Sequence, residues 1–386
     1  MATPKITFFP VGNGDMKLLE LDSGARILID INIRQPGEGI RDVSKDLRDR
    51  LTMDENNRPY VDAMVLSHPD QDHCRGLEQH FHIGPMSDYD DKAKPKKIVI
   101  REMWSSPIIF RRASINHALC EDAKAWCKEA RRRVQQFRDN GIGADGDRIL
   151  VLGEDKDGKT DDLTDILIRR EGTITVVAGE KQSNFSAQLL APLPADNDDD
   201  EKALTKNESS VIFNYNIGVG TVKDAVRFLS GGDAEVLIWE RLWGKYKNNT
   251  SILEYDLLCS PHHCSWHSLS YDSWSEKRRK AAISDDARSA LSQARDGAVI
   301  VASSNEIKDD DVDPPCIRAK EEYESIVSDV SGEFYNTACH PDAKNPEPLT
   351  FEVTAGGLGK PSKKASKAAA TSAAASAFAS QPRVHG

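Results

Sequence analysis

The chain has 386 residues, 39% hydrophobic and 29% charged, with a formal net charge of −11. That composition belongs to a globular protein with an ample core, and no apolar run approaches the roughly 20 residues of a membrane-spanning helix. Seven cysteines form an odd set without a C-x-x-C pair, against both a disulfide framework and a zinc ribbon, and the acidic balance lowers the prior for nucleic acid without removing it. With no secretory leader visible after Met1, a cytoplasmic location is expected.

In chain order, Ile6 to Val11, Lys17 to Leu21 and Arg26 to Ile31 read as three short strands punctuated by Gly12, Gly14 and Ser23-Gly24. Val61 to Leu66 is a compact apolar run, a buried strand delivering its end to the polar cluster that starts at Ser67. Ile98 to Ile100 is a further strand. Ser114 to Asn140 reads as one long helix with Trp126, Val134 and Phe137 inward and Arg131-Arg132-Arg133 on an exposed face. Strands follow at Ile149 to Leu152, Ile174 to Val177 and Gln188 to Leu190, then an acidic loop at Asp196 to Glu201. Segment 83–205 therefore reads as a mixed helical and strand insertion. Strands resume at Ser210 to Tyr215, Ala225 to Leu229, Leu257 to Cys259 and Ala298 to Ala302, with helices at Ala234 to Leu242 and Arg318 to Val327. From 357 to 386 the composition collapses to Ala, Ser and Lys, which reads as a disordered tail after a single domain of 1–356.

Three stretches carry chemistry. Ser67-His68-Pro69-Asp70-Gln71-Asp72-His73 puts four potential ligands, His68, Asp70, Asp72 and His73, into six residues after a buried strand. Two carboxylates beside two imidazoles are costly to bury unless a cation compensates them. Leu258 to Ser265 again ends an apolar run in adjacent histidines, His262 and His263, of which one ligates while the other meets substrate or an outer carboxylate; the sequence leaves the assignment open. Between them Gly231-Gly232-Asp233 ends a strand, with Asp233 either bridging two cations or capping the helix near Ala234.

Taken together, these motifs resemble the metallo-β-lactamase superfamily, and within it the hydrolase domain of ComEC/Rec2 DNA-uptake proteins. Val11-Gly12-Asn13-Gly14-Asp15 is similar to that group's V-G-Q-G-D, Ile27 to Asp30 to its I-L-I-D, and Ser67 to His73 to its S-H-x-D-x-D-H. Asn207 to Ile212, Gly232 to Glu235 and Pro261 to Ser265 are similar to its N-x-x-S-V-V, G-D-x-E and P-H-H-G-S. The resemblance implies an α/β fold of the αββα four-layer sandwich type and two divalent ions, zinc by default with manganese as the alternative. His68, Asp70 and one of His262 and His263 would hold one ion, Asp72 and His73 the other, and Asp233 would bridge them, with Asp72, His263 and Asp233 closest to catalysis. Asp15, Asp30 and Ser265 would support the site, and Asp313, His340 or His267 would supply a late ligand. Cys74-Arg75-Gly76 stands where the group has apolar-Gly-Gly and Cys264 where it has a glycine, so the walls of the site are expected to be bulkier and to hold thiols.

The implied reaction is hydrolysis by a metal-activated hydroxide, with a phosphodiester in nucleic acid or a nucleotide as the favoured anionic substrate. The alternatives are a thioester, lactone or β-lactam hydrolase, and a defence-system or signalling module with a degraded metal site and a protein partner on the 83–205 segment.

Overall fold

A computed structural model describes residues 2–361 except 38–40, 117, 196 and 205. It is a mixed α/β protein with a ten-stranded and a seven-stranded sheet. The first sheet runs Gly357–Leu358, Leu349–Thr354, Lys5–Phe8, Lys17–Glu20, Arg26–Ile29, Pro59–Val65, Val99–Ser105, Arg148–Leu152 and Leu167–Ile168, with Thr52–Met53 beside Pro59–Val65. The second runs Thr173–Ile174, Phe185–Ala191, Ile212–Val219, Val222–Ser230, Tyr255–Cys259, Ala294–Ala302 and Glu333–Asn336. Each sheet is antiparallel in one part and parallel in the other: Arg26–Ile29 to Leu167–Ile168 in the first, Val222–Ser230 to Glu333–Asn336 in the second.

Parallel strands are covered on both faces and so read as near-continuous apolar runs, which is why Ala63 to Leu66 and Leu257 to Cys259 carry no alternation. The sheets meet through aromatic side chains, with Phe8 edge-on to Phe228 at 5.7 Å between ring centroids and Trp104 at 5.9 Å from Phe213. Behind the second sheet a separate apolar cluster includes Trp239 and Leu242 of helix Val236–Tyr246 and Tyr323 and Ile326 of helix Ile317–Ser328. Helix Glu121–Asn140 buries Trp126 in the cluster shared by the two sheets.

Several elements differ from expectation. The single helix from Ser114 is two, Pro107–Asn116 and Glu121–Asn140; the second starts at Cys120, whose side chain accepts from the Ala123 N–H, as an N-cap does. The basic strip is not one exposed face. Arg133 is buried, its Nε 2.7 Å from Glu129 Oε1, and Arg132 pairs with Glu129 and Asp147, leaving Arg131 outward.

The Ile174 to Val177 run is split: Thr173–Ile174 joins the second sheet, and Val176–Val177 pairs with Glu180–Lys181. Within the acidic stretch Asp198–Ala203 is helical, and Glu201 ties it to Arg111 and Arg112; Asp196 lies outside the described residues. Segment 83–205 contributes strands to both sheets. Gly357–Leu358 pairs with Leu349–Thr354, so ordered structure extends beyond 356, while 362–386 lies outside the described residues. No helix among the described residues is long and apolar enough to cross a membrane.

Candidate metal centre

The C-terminal ends of four strands converge at one place. Arg26–Ile29 delivers Asp30, Pro59–Val65 delivers Ser67 and His68, Val222–Ser230 delivers Asp233, and Tyr255–Cys259 delivers His262 and His263. A short helix, Gln71–Cys74, carries Asp72 and His73. The Val211 N–H donates to the Ser67 carbonyl at 2.9 Å and so links loops of the two sheets beside the cluster.

Local backbone geometry aims these side chains. Gly232 has φ +51°, and a Cβ there would lie 2.9 Å from Ser67 Oγ, so only glycine lets the strand end pass this close. His262, His263 and Cys264 have φ of 50°, 53° and 68°, three consecutive left-handed residues. That conformation is unfavourable for L-residues by about 1–2 kcal/mol each. The strained turn sends His263 into the cluster and leaves His262 half-buried at its rim.

Two groupings of ligand atoms adjoin: His68, His73 and Asp233, and Asp72, His73 and His263. His73 Nε2 lies 3.0 Å from Asp233 Oδ1, and His263 Nε2 lies 3.3 Å from Asp72 Oδ2 and 3.5 Å from Asp233 Oδ1. His68 Nδ1 is 3.9 Å from both Asp70 Oδ2 and Asp233 Oδ2. Both ring nitrogens of His68 and of His263, His73 Nε2 and Asp233 Oδ1 are buried without a hydrogen-bond partner. Buried polar atoms are ordinarily satisfied, and this concentration of donor atoms in one place fits a cation. The buried His/Asp groups can therefore hold a metal ion.

Asp30 orients the cluster. Its Oδ1 accepts from the Ser67 N–H at 2.7 Å, and its Oδ2 accepts from Ser67 Oγ and lies 3.1 Å from His73 Nδ1. A carboxylate at Nδ1 fixes the proton there and leaves Nε2 as the ligating atom. Asp15 forms a third grouping with Asp30 and His73, but its charge is already met by Lys17 Nζ at 2.8 Å, both side chains being buried. Lys17 also approaches Cys259 Sγ at 3.8 Å.

Electrostatics reflect the crowding. Burial pushes His68 down, outweighing the opposing pull of Asp233 and Asp70. For His73 burial acts the same way, but Asp233 and Asp30 overcome it and hold the imidazole well above its ordinary range. His263 is likewise raised against burial by Asp233 and Asp72. Burial resists ionisation of Asp233, yet His73, His263 and His262 hold it well below the usual carboxylate range. The shifts of His73, His263 and Asp233 are reciprocal, each favouring the charged form of the other, while His68 is shifted towards its neutral form.

The expected residues do not all arrive. Asp70 is a third exposed, and its Oδ2 is ion-paired to Lys206. His262 stands between Asp233, 3.8 Å from its Nε2, and Glu235, 3.6 Å from its Nδ1, outside both groupings. Asp233 does not cap the following helix, which begins at Val236 with Glu235 as its preceding residue. Ser265 Oγ accepts from the His267 N–H and stabilises a local turn. Asp313 Oδ1 accepts from the Trp266 N–H at 3.1 Å, and neither Asp313, His267 nor His340 joins a grouping among the described residues.

The two cysteines are not wall residues either: Cys74 and Cys264 are fully buried in separate apolar clusters. Lys17, Lys206 and Glu235 were not singled out from sequence; only Glu235, inside the G-D-x-E stretch, carried a local signal. In comparison with known proteins, no family model and no curated protein matches this chain.

Proposed function

We propose that this protein is a metal-dependent phosphodiester hydrolase with two divalent ions, zinc by default, on the αββα sandwich of the metallo-β-lactamase type. The observation that carries the reading is the convergence of His68, His73 and His263 on Asp233, with their inner ring nitrogens buried and unpartnered. His68, His73 and Asp233 would hold one ion and Asp72 and His263 the other, with Asp233 lying close to the residues of both. Divalent ions there would supply positive charge to the oxygens of an anionic ester and bring the pKa of water towards about 7.

The chain's own groups do the rest. Asp30 and Ser67 keep His73 in one tautomer and one orientation. His262, at the rim and backed by Glu235, is the group able to hold a proton where a leaving oxygen departs; Asn207 Nδ2 fixes Glu235 by donating to Oε1 at 2.6 Å. An anionic substrate is favoured because a dinuclear centre can take one non-bridging oxygen on each ion.

A second reading, a binding or signalling module with an incomplete centre, is favoured by the Asp70–Lys206 pair and by the placement of Asp313, His267 and His340 outside the cluster. Metal content of the purified protein and turnover of a bis-aryl phosphodiester against a thioester separate the readings. Two equivalents of metal with chelator-sensitive diester turnover support the proposal. Less than one equivalent and no effect of chelation overturn it in favour of the module, and thioester turnover alone overturns the substrate class.

A further inference from the structure

Beside the centre lie two arginines that the ligand set does not use. Arg75 directly follows the helix that carries Asp72 and His73. Its backbone is bridged in parallel to Asn32, and its carbonyl accepts from the Ile33 N–H at 2.9 Å. Residues two apart in an extended segment share a side, so Arg34 lies on the side of Asn32.

Asn32 Nδ2 donates to the Asn13 carbonyl at 3.2 Å, and the Asp15 N–H donates to the Asp72 carbonyl at 3.1 Å. The loop from Val11 to Asp15 thus spans the distance from Arg34 to the centre. Gly12, at φ +78°, makes room for this: a Cβ there would lie 3.2 Å from Arg34 Nη2 and 2.9 Å from Asn305 Oδ1.

Both guanidinium groups are half-buried, and neither meets a carboxylate among the described residues. Arg75 Nη2 donates only to Gln71 Oε1 at 3.2 Å, and its Nε is buried without a partner. Other half-buried arginines meet an acid, as in Arg101–Asp62, or a backbone carbonyl, as Arg48 does at Lys96 and Arg50 at Asp46. Among the described residues Arg34 and Arg75 have neither an acid nor a backbone carbonyl, and an anion between the two guanidinium groups would offset their mutual repulsion. Burial, and then Arg75, hold the Arg34 guanidinium below its ordinary range, as expected of like charges in proximity.

We infer that Arg34 and Arg75 form a subsite for a non-reacting phosphate of the substrate, flanking the helix Gln71–Cys74. The inference rests on the phosphodiester reading and narrows it: the substrate carries at least two phosphates, one at the metal centre and one on the guanidinium pair. Planar guanidinium forks match phosphate oxygens in a bidentate way that lysine does not reproduce. Such a phosphate has two sources, the next linkage of a polynucleotide strand or the terminal phosphate of a nucleotide.

The test uses the full-length, metal-loaded protein with Arg34→Gln, Arg75→Gln and their lysine counterparts, and Arg131→Gln, at an exposed position of helix Glu121–Asn140, as control. Affinity is measured for a short oligodeoxythymidylate and for ADP, and kcat and KM for the oligonucleotide. Each glutamine variant is expected to weaken one of the ligands about tenfold or more, with the loss in KM rather than kcat, partial recovery in lysine, and no change in Arg131→Gln. A loss confined to the oligonucleotide assigns the strand, and one confined to ADP assigns the nucleotide. Unchanged affinity for both in variants that melt normally overturns the subsite while leaving the hydrolase reading intact. Arginine-dependent binding without diester turnover overturns the hydrolase reading and keeps the subsite.

Discussion

Asp30 lies 3.1 Å from His73 Nδ1 and by that contact turns His73 Nε2 towards Asp233. The same carboxylate takes two hydrogen bonds from Ser67, so one residue at a strand end fixes both the loop and the imidazole. Asp30→Asn keeps size and shape but removes the charge at Nδ1. Loss of an outer partner of this kind typically costs 10–100-fold in metal affinity, and that loss is expected here. Titration against a competing chelator measures it; an affinity within twofold of the native protein would show that Ser67 and packing alone hold the ring.

Lys206 and Asp70 make the second case. Asp70 is 3.9 Å from His68 Nδ1 and is also ion-paired to Lys206, so a cation entering beside His68 competes with an ammonium for the same carboxylate. Removing that ammonium with Lys206→Gln is expected to tighten metal binding by about fivefold, since a unit charge at a partly solvated distance of about 4 Å is worth on the order of 1 kcal/mol or more. The same chelator titration reads it. Weaker binding in Lys206→Gln would mean that the lysine instead holds the loop in place.

Much of this cluster was legible because its residues are dense and follow apolar strands: His68, Asp72 and His73 fall within six residues, and a strand end must point its residues at something. The partition among them was not legible, because it depends on backbone strain at His262 and His263, which sends one ring to Asp233 Oδ1 and leaves the other at the rim. Asp70 read as a ligand since its competitor, Lys206, is 136 residues away. Lys17 looked like an ordinary first residue of a strand, and only the fold buries it against Asp15. The misreading of Arg131 to Arg133 has a different source. Glu129 stands three and four residues before Arg132 and Arg133, a spacing that pairs charges on a helix and could have indicated an inward network.

That network gives an acid-side prediction. Burial favours the protonated form of Glu129, but Arg132 and Arg133 outweigh it and hold the carboxyl below its ordinary value of 4.5. A carboxyl lowered on folding stabilises the native state at pH above its unfolded value and loses that contribution as pH falls through its folded value. Stability measured by urea denaturation should therefore fall as pH drops below about 4.5, and Glu129→Gln should flatten that limb. At neutral pH the variant leaves Arg133 buried without its counter-charge, at a cost of about 3 kcal/mol. An unchanged acid limb in the variant would assign the loss to other carboxylates.

The buried pair of Asp15 and Lys17 separates stability from metal binding. Both side chains are excluded from solvent 2.8 Å apart, and Cys259, the last residue of strand Tyr255–Cys259 in the other sheet, closes the space with its thiol 3.7 Å from Asp15 Oδ1. Burial opposes the charge on Lys17, while Asp15, Cys259 and Asp30 more than restore it and raise the amine above its usual range. Lys17→Met removes the cation and strands Asp15 in an apolar setting, which should cost about 3–5 kcal/mol. The double variant with Asp15→Asn removes both charges and should recover a large part of that loss, because the penalty belongs to the unpaired carboxylate and not to the missing pair. The Asp15 N–H bond to the Asp72 carbonyl is made by backbone and survives both substitutions, so metal stoichiometry in the folded double variant should equal that of the native protein. Urea denaturation of the two single variants and the double variant, with metal analysis of each, completes the cycle. A double variant as unstable as Lys17→Met would locate the cost in lost packing around the lysine stem.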